Sequence, residues 1–239
     1  MSHQMIFKRY ELKYMLTQEQ RHKIEQAMSL HMAQDQYGEA MIRNIYFDTK
    51  NFRLIRHSIE KPAYKEKLRI RSYQKVTKED EVFLELKKKY KSIVYKRRMV
   101  LPESKAMDCL CNGSPIPDES QIAKEINYFC SYYEELIPSV FLSYHREAFY
   151  SLDGSDFRIT FDNQIVYRQD HLSLTEDVFG TPLLDSQMTL MEIKTSGGIP
   201  LWMTAVLSEN NIFKTSFSKY GAAYKQIVKT QKQGGMLYA

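Results

Sequence analysis

The chain has 239 residues, 43% of them hydrophobic and 26% charged, with a formal net charge of +5 at pH 7. That is ordinary for a globular protein and supports one large domain over residues 1–239 with a substantial core. No apolar run approaches the roughly 20 residues a bilayer-spanning helix needs, and the opening Met1-Ser2-His3-Gln4-Met5 has no signal-peptide hydrophobic region.

Three cysteines (Cys109, Cys111 and Cys130) cannot all pair, so a reducing, cytoplasmic setting is expected. Cys109-x-Cys111 has no second ligand pair, which argues against zinc. Seventeen Tyr and twelve Phe with few Gly and Pro favour strands.

In chain order, Phe7 to Tyr14 alternates and reads as a strand, with Arg9, Glu11 and Lys13 on one face. Thr17-x-x-Gln20 is a capping-box signature, and the helix it opens runs to about His31 with Ile24, Ala27 and Met28 inward. Ile42 to Asp48 is a second strand, and Phe52 to Ile59 a short helix broken by Pro62.

Three strand-like runs follow: Lys67 to Arg71, Val82 to Lys87 and Ile93 to Leu101. Their alternation puts Lys67, Arg69 and Arg71 on one face with Leu68 and Ile70 on the other. Glu85 and Lys87 share a face opposite Leu84 and Leu86, and Lys96 and Arg98 share one in the third run. A solvated face explains any single strand. The imbalance of sign does not fit that explanation. From Lys61 to Arg98 there are fourteen Lys and Arg against five Asp and Glu, three of the five in a turn. Solvated faces mix signs, whereas a one-signed face suits a polyanion.

Pro102 to Pro117 reads as a loop, and Ser120 to Leu136 as a helix ended by Pro138, with Ile122, Ile126, Phe129 and Cys130 on one face. Its simplest role is packing outside a sheet. Val140 to Phe149 is a strand with Tyr144, Arg146 and Ala148 in phase. Asp156 to Asp162 alternates polar and apolar residues, and Gln164 to Arg168 and Thr189 to Lys194 complete the strands. A helix can begin at Pro200, with Leu201, Ala205 and Leu207 apolar, and Phe217 to Thr230 is a last helix before a frayed Gln233-Gly234-Gly235.

One triplet recurs: Glu11-Leu12-Lys13, Glu85-Leu86-Lys87 and Glu192-Ile193-Lys194. Each puts a carboxylate and an ammonium on one strand face. If the sheet closes, these faces converge with those of Arg69, Arg71, Lys96, Arg98, Arg146 and Arg158 in a wet lumen. A dry core could not hold such charges. Phosphate chains suit this set, because guanidinium and ammonium groups bind phosphoryl oxygens and carboxylates hold an accompanying divalent metal. No Gly-rich phosphate loop, His metal spacing or Ser/His/Asp order stands out. Nucleic acid is not expected, because the arginines alternate with core residues and form no surface stripe.

As a set, Phe7-x-Arg9-x-Glu11-x-Lys13-Tyr14, Tyr46-Phe47-Asp48-Thr49, Glu60 to Tyr73, Phe83-x-Glu85-Leu86-Lys87, Tyr144-x-Arg146-x-Ala148-Phe149, Arg158-x-Thr160-Phe161-Asp162, Met191 to Lys194 and Phe217-Ser218-Lys219-Tyr220 resemble the VTC domain, the polyphosphate polymerase domain of the triphosphate tunnel metalloenzymes. The resemblance spans nearly the whole chain, in order. It implies an α+β fold, a closed antiparallel β-barrel tunnel of about eight strands with helices packed outside, of the CYTH-like triphosphate tunnel kind.

It also implies site residues. Lys13, Arg69, Arg71, Lys87, Arg146 and Glu192 would be catalytic, and Lys67, Lys96, Arg98, Arg158, Lys194 and Lys219 would bind substrate. Glu192 would be the principal ligand of a divalent metal, Mn²⁺ or Mg²⁺, with Glu11 and Glu85 as helpers. Hydrolytic relatives open with Glu-x-Glu-x-Lys, and here the first Glu position is Arg9, which favours the polymerase branch. The expected activity is transfer of the γ-phosphate of a nucleoside triphosphate, with ATP first, to a polyphosphate chain. The alternatives are a metal-dependent tripolyphosphatase or nucleoside triphosphatase, and a non-catalytic polyanion-binding module. The sequence does not fix the oligomeric state.

Overall fold

The computed structural model describes residues 10–91 and 93–235. In chain order the elements are β1 (Tyr10–Thr17), α1 (Gln18–Met28), β2 (Met32–Thr49), α2 (Arg53–Ile59), β3 (Tyr64–Ser72), β4 (Glu81–Tyr90), β5 (Ile93–Pro102) and α3 (Glu103–Cys111). Then come α4 (Gln121–Tyr133), β6 (Leu136–Ser151), β7 (Arg158–Arg168), β8 (Thr181–Pro182), β9 (Met188–Thr195), α5 (Leu201–Glu209), β10 (Lys214–Thr215) and α6 (Lys219–Gly235).

This is an antiparallel, sheet-rich α+β fold. Among the described residues the strands hydrogen-bond in the order β10-β1-β9-β7-β6-β2-β3-β4-β5, with β8 beside β7. The path ends at β10 and β5, so the pairing gives an open order of ten strands where about eight closed ones were expected. Two of the ten, β8 and β10, are two residues long and leave no periodic signal.

Contacts gather the chain into two compact units, each assembled from three separated stretches. The first takes Met1–Met41, Tyr144–Ile165 and Leu184–Phe217. Its core joins Tyr14 and Leu16 of β1, Ile159 and Phe161 of β7, and Met191 and Ile193 of β9 to Ile24 and Met28 of α1 and Met203, Val206 and Leu207 of α5. The capping box forms as read: the Thr17 hydroxyl accepts from Gln20 N, and Gln20 Oε1 accepts from Thr17 N. In α5 the inward residues are Met203, Val206 and Leu207. Leu201 and Ala205, read as apolar positions of this helix, are exposed.

The second unit takes Ile42–Ser143, Val166–Leu183 and Ser218–Ala239. Its core joins Ile45 and Phe47, Leu68 and Ile70, and Leu84 and Leu86 to Ala106 and Leu110 of α3 and Ala123, Ile126 and Phe129 of α4. The stretch after Pro102, expected as loop, is helix α3 over its first nine residues. Its apolar residues sit at the helical spacing of Ala106, Cys109 and Leu110, and Pro102 stands at its N-terminal boundary, where a missing N–H costs nothing. Pro138 lies within β6 and does not end α4, which stops at Tyr133. Helix α6 continues through Gly235, past the expected fraying point.

Two buried polar anchors were not anticipated. Arg168 is 4% exposed. It donates to the carbonyls of Asp170, His171, Asp177 and Phe179, and its guanidinium lies 3.6 Å from the Phe141 ring centroid. It thereby gives the backbone of 170–179 a common donor. Asp48 is fully buried. Its carboxylate accepts from the backbone of Thr49, Leu54 and Ile55 and from the Tyr220 hydroxyl. It caps α2 from outside the helix, and it ties α6 to β2.

Replacing Asp48 leaves several buried donors without an acceptor. We expect Asp48→Ala to lose about 3 kcal/mol of unfolding free energy and Tyr220→Phe only about 1 kcal/mol. Denaturant titration of both variants measures this, and equal small losses would show that Asp48 is not the anchor.

Candidate functional site

In the first unit β1, β9 and β7 lie side by side, with Lys13 opposite Glu192 and Glu192 opposite Thr160. Residues directly opposite share a face. Glu11, Lys13, Glu192, Lys194, Arg158, Thr160 and Asp162 therefore share the face away from α1 and α5. Glu192 is the hub. Its Oε1 lies 2.8 Å from Lys13 Nζ, and its Oε2 lies 3.2 Å from Arg146 Nη2 and 3.3 Å from Lys194 Nζ. Arg146 also forks onto Asp162, at 2.5 and 2.6 Å. Glu11 is 3.1 Å from Lys13.

The pKa directions follow from this crowding. Burial pulls Lys13 down, but Glu192 and Glu11 outweigh it and hold its proton above the ordinary lysine range. Lys194 is lowered by burial and by Arg146, against Glu192 and Glu11. Arg158 stands opposite Lys194 in the register but is exposed.

In the second unit the register stacks rows across β3, β4 and β5. Lys65 faces Lys89, Lys67 faces Lys87 and then Lys96, Arg69 faces Glu85 and then Arg98, and Arg71 faces Phe83. Glu85 is 1% exposed. Its Oε2 lies 2.6 Å from Arg69 Nη2, and its Oε1 lies 2.7 Å from Lys96 Nζ and 2.5 Å from Arg98 Nη2. Burial pushes its pKa up, but Arg69, Arg71 and Lys96 overcome that and hold it well below the usual carboxylate range. Burial, with Arg98 and Arg69, brings Lys96 down to about 8 despite Glu85.

Lys96 and Arg98 thus share a face, as read. Arg97, between them, points the other way to Glu125 of α4 at 3.1 Å. Arg71 donates to Asn44 Oδ1 at 2.8 Å, and Lys67 reaches the Ser218 hydroxyl at 3.1 Å. Lys219 is buried in the first turn of α6.

The expected residues therefore fall into two groups, one in each unit. Arg9 lies outside the described residues. Sequence reasoning missed Asp162, Asn44 and Tyr46. Asp162 and Tyr46 stood within quoted motifs, and their in-phase position beside Arg146 and Arg69 was the available signal.

Among the described residues, no three His, Cys, Asp or Glu side chains gather as a metal set. Both oxygens of Glu192 and of Glu85 face cations. These residues do not form an all-protein metal cage. They fit a divalent ion that draws its other ligands from a substrate's phosphates, which is how Mg²⁺ is usually held.

The sequence profile of the VTC domain matches residues 8–228. This chain belongs to the VTC domain family. No curated protein matches the chain. Among solved structures, a candidate adenylate cyclase from Bacillus halodurans aligns with a TM-score of 0.53 at 16% identity, covering 89% of this VTC domain chain and 94% of the other. A protein from Pyrococcus horikoshii aligns at 0.47 and 14%, covering 93% and 99%. A candidate adenylate cyclase from Vibrio parahaemolyticus aligns at 0.47 and 11%, covering 95% and 99%. At 16% identity the Bacillus likeness speaks to the fold alone. No helix among the described residues of the VTC domain is long and apolar enough to cross a membrane.

Glu85 supplies a test of the cation cluster. Its folded pKa is depressed, so its stabilising effect is present above the ordinary carboxylate pKa of about 4.3 and is lost as pH falls below it. We expect Glu85→Gln to cost about 2 kcal/mol at pH 7, because it leaves Arg69, Lys96 and Arg98 without their shared countercharge while solvent still reaches them, and to flatten the acid loss of stability. Added tripolyphosphate should stabilise the variant more than the wild type. Unfolding curves from pH 7 down to pH 3, with and without tripolyphosphate, measure both effects.

Proposed function

We propose that this VTC domain is a polyphosphate polymerase that transfers the γ-phosphate of a nucleoside triphosphate, with ATP first, to a polyphosphate chain. The observation that carries the reading is the length of the one-signed face. From Arg71 to Lys65 is six residues of β3, about 20 Å at ~3.3 Å per residue. Among the positions in phase with Lys65, Lys67, Arg69 and Arg71 that the register aligns across β3, β4 and β5, Glu85 is the one carboxylate. A track of that length suits a chain with many repeating charges better than a single triphosphate. Closure of the sheet into a tunnel belongs to the same proposal, as does a cytoplasmic setting, where nucleoside triphosphates are available.

The chemistry asks little of the protein beyond placement. A terminal phosphate oxygen of the chain attacks the γ-phosphorus in line, a new P–O bond forms, and the bond to the bridging β–γ oxygen breaks as the nucleoside diphosphate leaves. The nucleophile is already anionic, so no general base is needed. This agrees with the engagement of Glu85, Glu192 and Asp162 by cations, which leaves them poorly placed to activate a water. In one unit Arg69, Arg71, Lys87, Lys96, Arg98, Lys67 and Lys219 are the phosphate-binding set, and in the other Lys13, Arg146, Lys194 and Arg158. Catalysis is alignment and charge neutralisation. A divalent ion, Mn²⁺ or Mg²⁺, would be held by Glu192 with Glu11 and the substrate's phosphoryl oxygens, and would supply further neutralisation of the triphosphate.

Protein incubated with ATP and Mn²⁺ and followed by ³¹P NMR should yield the signal of internal phosphates in long chains. Free phosphate alone would identify a hydrolase, and unchanged ATP a binding module. Arg69→Ala should weaken triphosphate binding roughly 10- to 100-fold, equivalent to about 1.5–3 kcal/mol, and lower ligand-free stability by about 2 kcal/mol, because Glu85 loses the partner of one oxygen while Lys96 and Arg98 stay on the other. A folded variant with unchanged affinity for triphosphate would make Arg69 structural.

A further inference from the structure

Tyr46 stands opposite Arg69 in the pairing of β2 and β3. Its hydroxyl oxygen accepts from Arg69 Nη1 at 2.9 Å, and the residue is 7% exposed. A phenol that accepts one hydrogen bond still has its own proton to place. The charged groups that act on it are Arg69, Lys67 and Arg71, and guanidinium and ammonium groups accept nothing. Among the described residues, no acceptor receives the Tyr46 proton.

The ring is also held in place. It stacks on Tyr220, with centroids 4.5 Å apart and planes 17° apart. Tyr220 in turn donates to the buried Asp48 at 2.9 Å. Swinging Tyr46 elsewhere to find an acceptor would break that stack. A buried hydroxyl fixed among donors, with an unplaced proton, is complementary to an incoming oxyanion.

We propose that Tyr46 is a substrate-binding residue whose hydroxyl donates a hydrogen bond to a phosphoryl oxygen of the anion gathered by Arg69 and Lys67. This rests on the phosphate-binding reading of the face. A neutral donor adds a bond to the ligand without adding another charge that the empty site must balance.

The ionisation of the phenol agrees. Burial raises its pKa, but Arg69, Lys67 and Arg71 outweigh burial and bring it to about 8. A phenolate would neutralise Arg69 and repel phosphate, so anion binding favours the protonated form and drives its pKa up. Lys96, on the same sheet face and also near 8, loses charge over the same range. Glu85 stays ionised throughout, and from α6 Tyr220, whose hydroxyl is bonded to Asp48, stacks on the Tyr46 ring. A binding profile against pH therefore mixes Tyr46 with Lys96, whereas tyrosinate absorbance isolates the phenol.

The test uses tripolyphosphate, titrated calorimetrically in chelator into the full chain and into Tyr46→Phe near pH 7, beside an ultraviolet titration of tyrosinate. We expect about tenfold weaker binding by the variant, with ligand-free thermal stability lowered only slightly by loss of the bond accepted from Arg69. We also expect one tyrosinate to form near pH 8 in the wild type, absent from the variant and displaced upward by saturating tripolyphosphate. Equal affinity in the two proteins, or an early tyrosinate unmoved by tripolyphosphate, overturns the proposal while leaving the phosphate reading intact. Failure of the wild type to bind tripolyphosphate overturns both.

Discussion

The structure depends on a buried carboxylate holding several cations that would otherwise repel one another. Glu85 is almost fully enclosed, with Arg69, Lys96 and Arg98 within 2.7 Å of its oxygens. Separately, Glu192 holds Lys13, Arg146 and Lys194. Removing one partner from such a cluster is costly, whereas the intact cluster adds little net stability over apolar packing. Its persistence in the interior of a fold is therefore better explained by function than by stability. A face that holds a polyanion, as proposed for this one, needs countercharge when the polyanion is absent, and the glutamates provide it.

Strand geometry makes this possible. Period-two alternation sends Leu68, Ile70, Leu84 and Leu86 to the helices and Lys67, Arg69, Glu85 and Lys87 to the opposite face. The same rule sends Met191 and Ile193 to the side of α1 and α5 and Glu192 and Lys194 to the opposite face. Each apolar layer is covered by helices, α3 and α4 in one unit and α1 and α5 in the other, so the charged faces need not serve as core. Asp48 then fixes Tyr220, and Tyr220 fixes the ring of Tyr46, so the rigidity of this face is inherited from a helix cap.

The alternation and sign of the strands are legible in the sequence because each residue's face is set by its parity alone. Parity is enough to place Arg69 with Arg71, Lys96 with Arg98 and Glu192 with Lys194. What is not legible depends on contacts distant in sequence. Nothing near Arg168 announces that its guanidinium will collect carbonyls from 170–179. The helix after Pro102 is hidden by turn-forming residues from Asn112 onward, and the two-residue strands β8 and β10 are too short for any period. Asp162 reads as one polar position in an alternating strand; only the pairing with Arg146 sixteen residues earlier gives it a role.

The carboxylates also bear on which reaction this face could serve. A hydrolase must orient water with a base, and a base must keep a lone pair available. Both oxygens of Glu192 and of Glu85 are engaged by cations, and Asp162 is gripped by the fork of Arg146. Freeing one would expose several positive groups at once, a cost that an arriving phosphate chain offsets and a water molecule does not. In the proposed transfer the incoming group is itself the anion, so it can take over the cations from the glutamates and be lined up by them for attack.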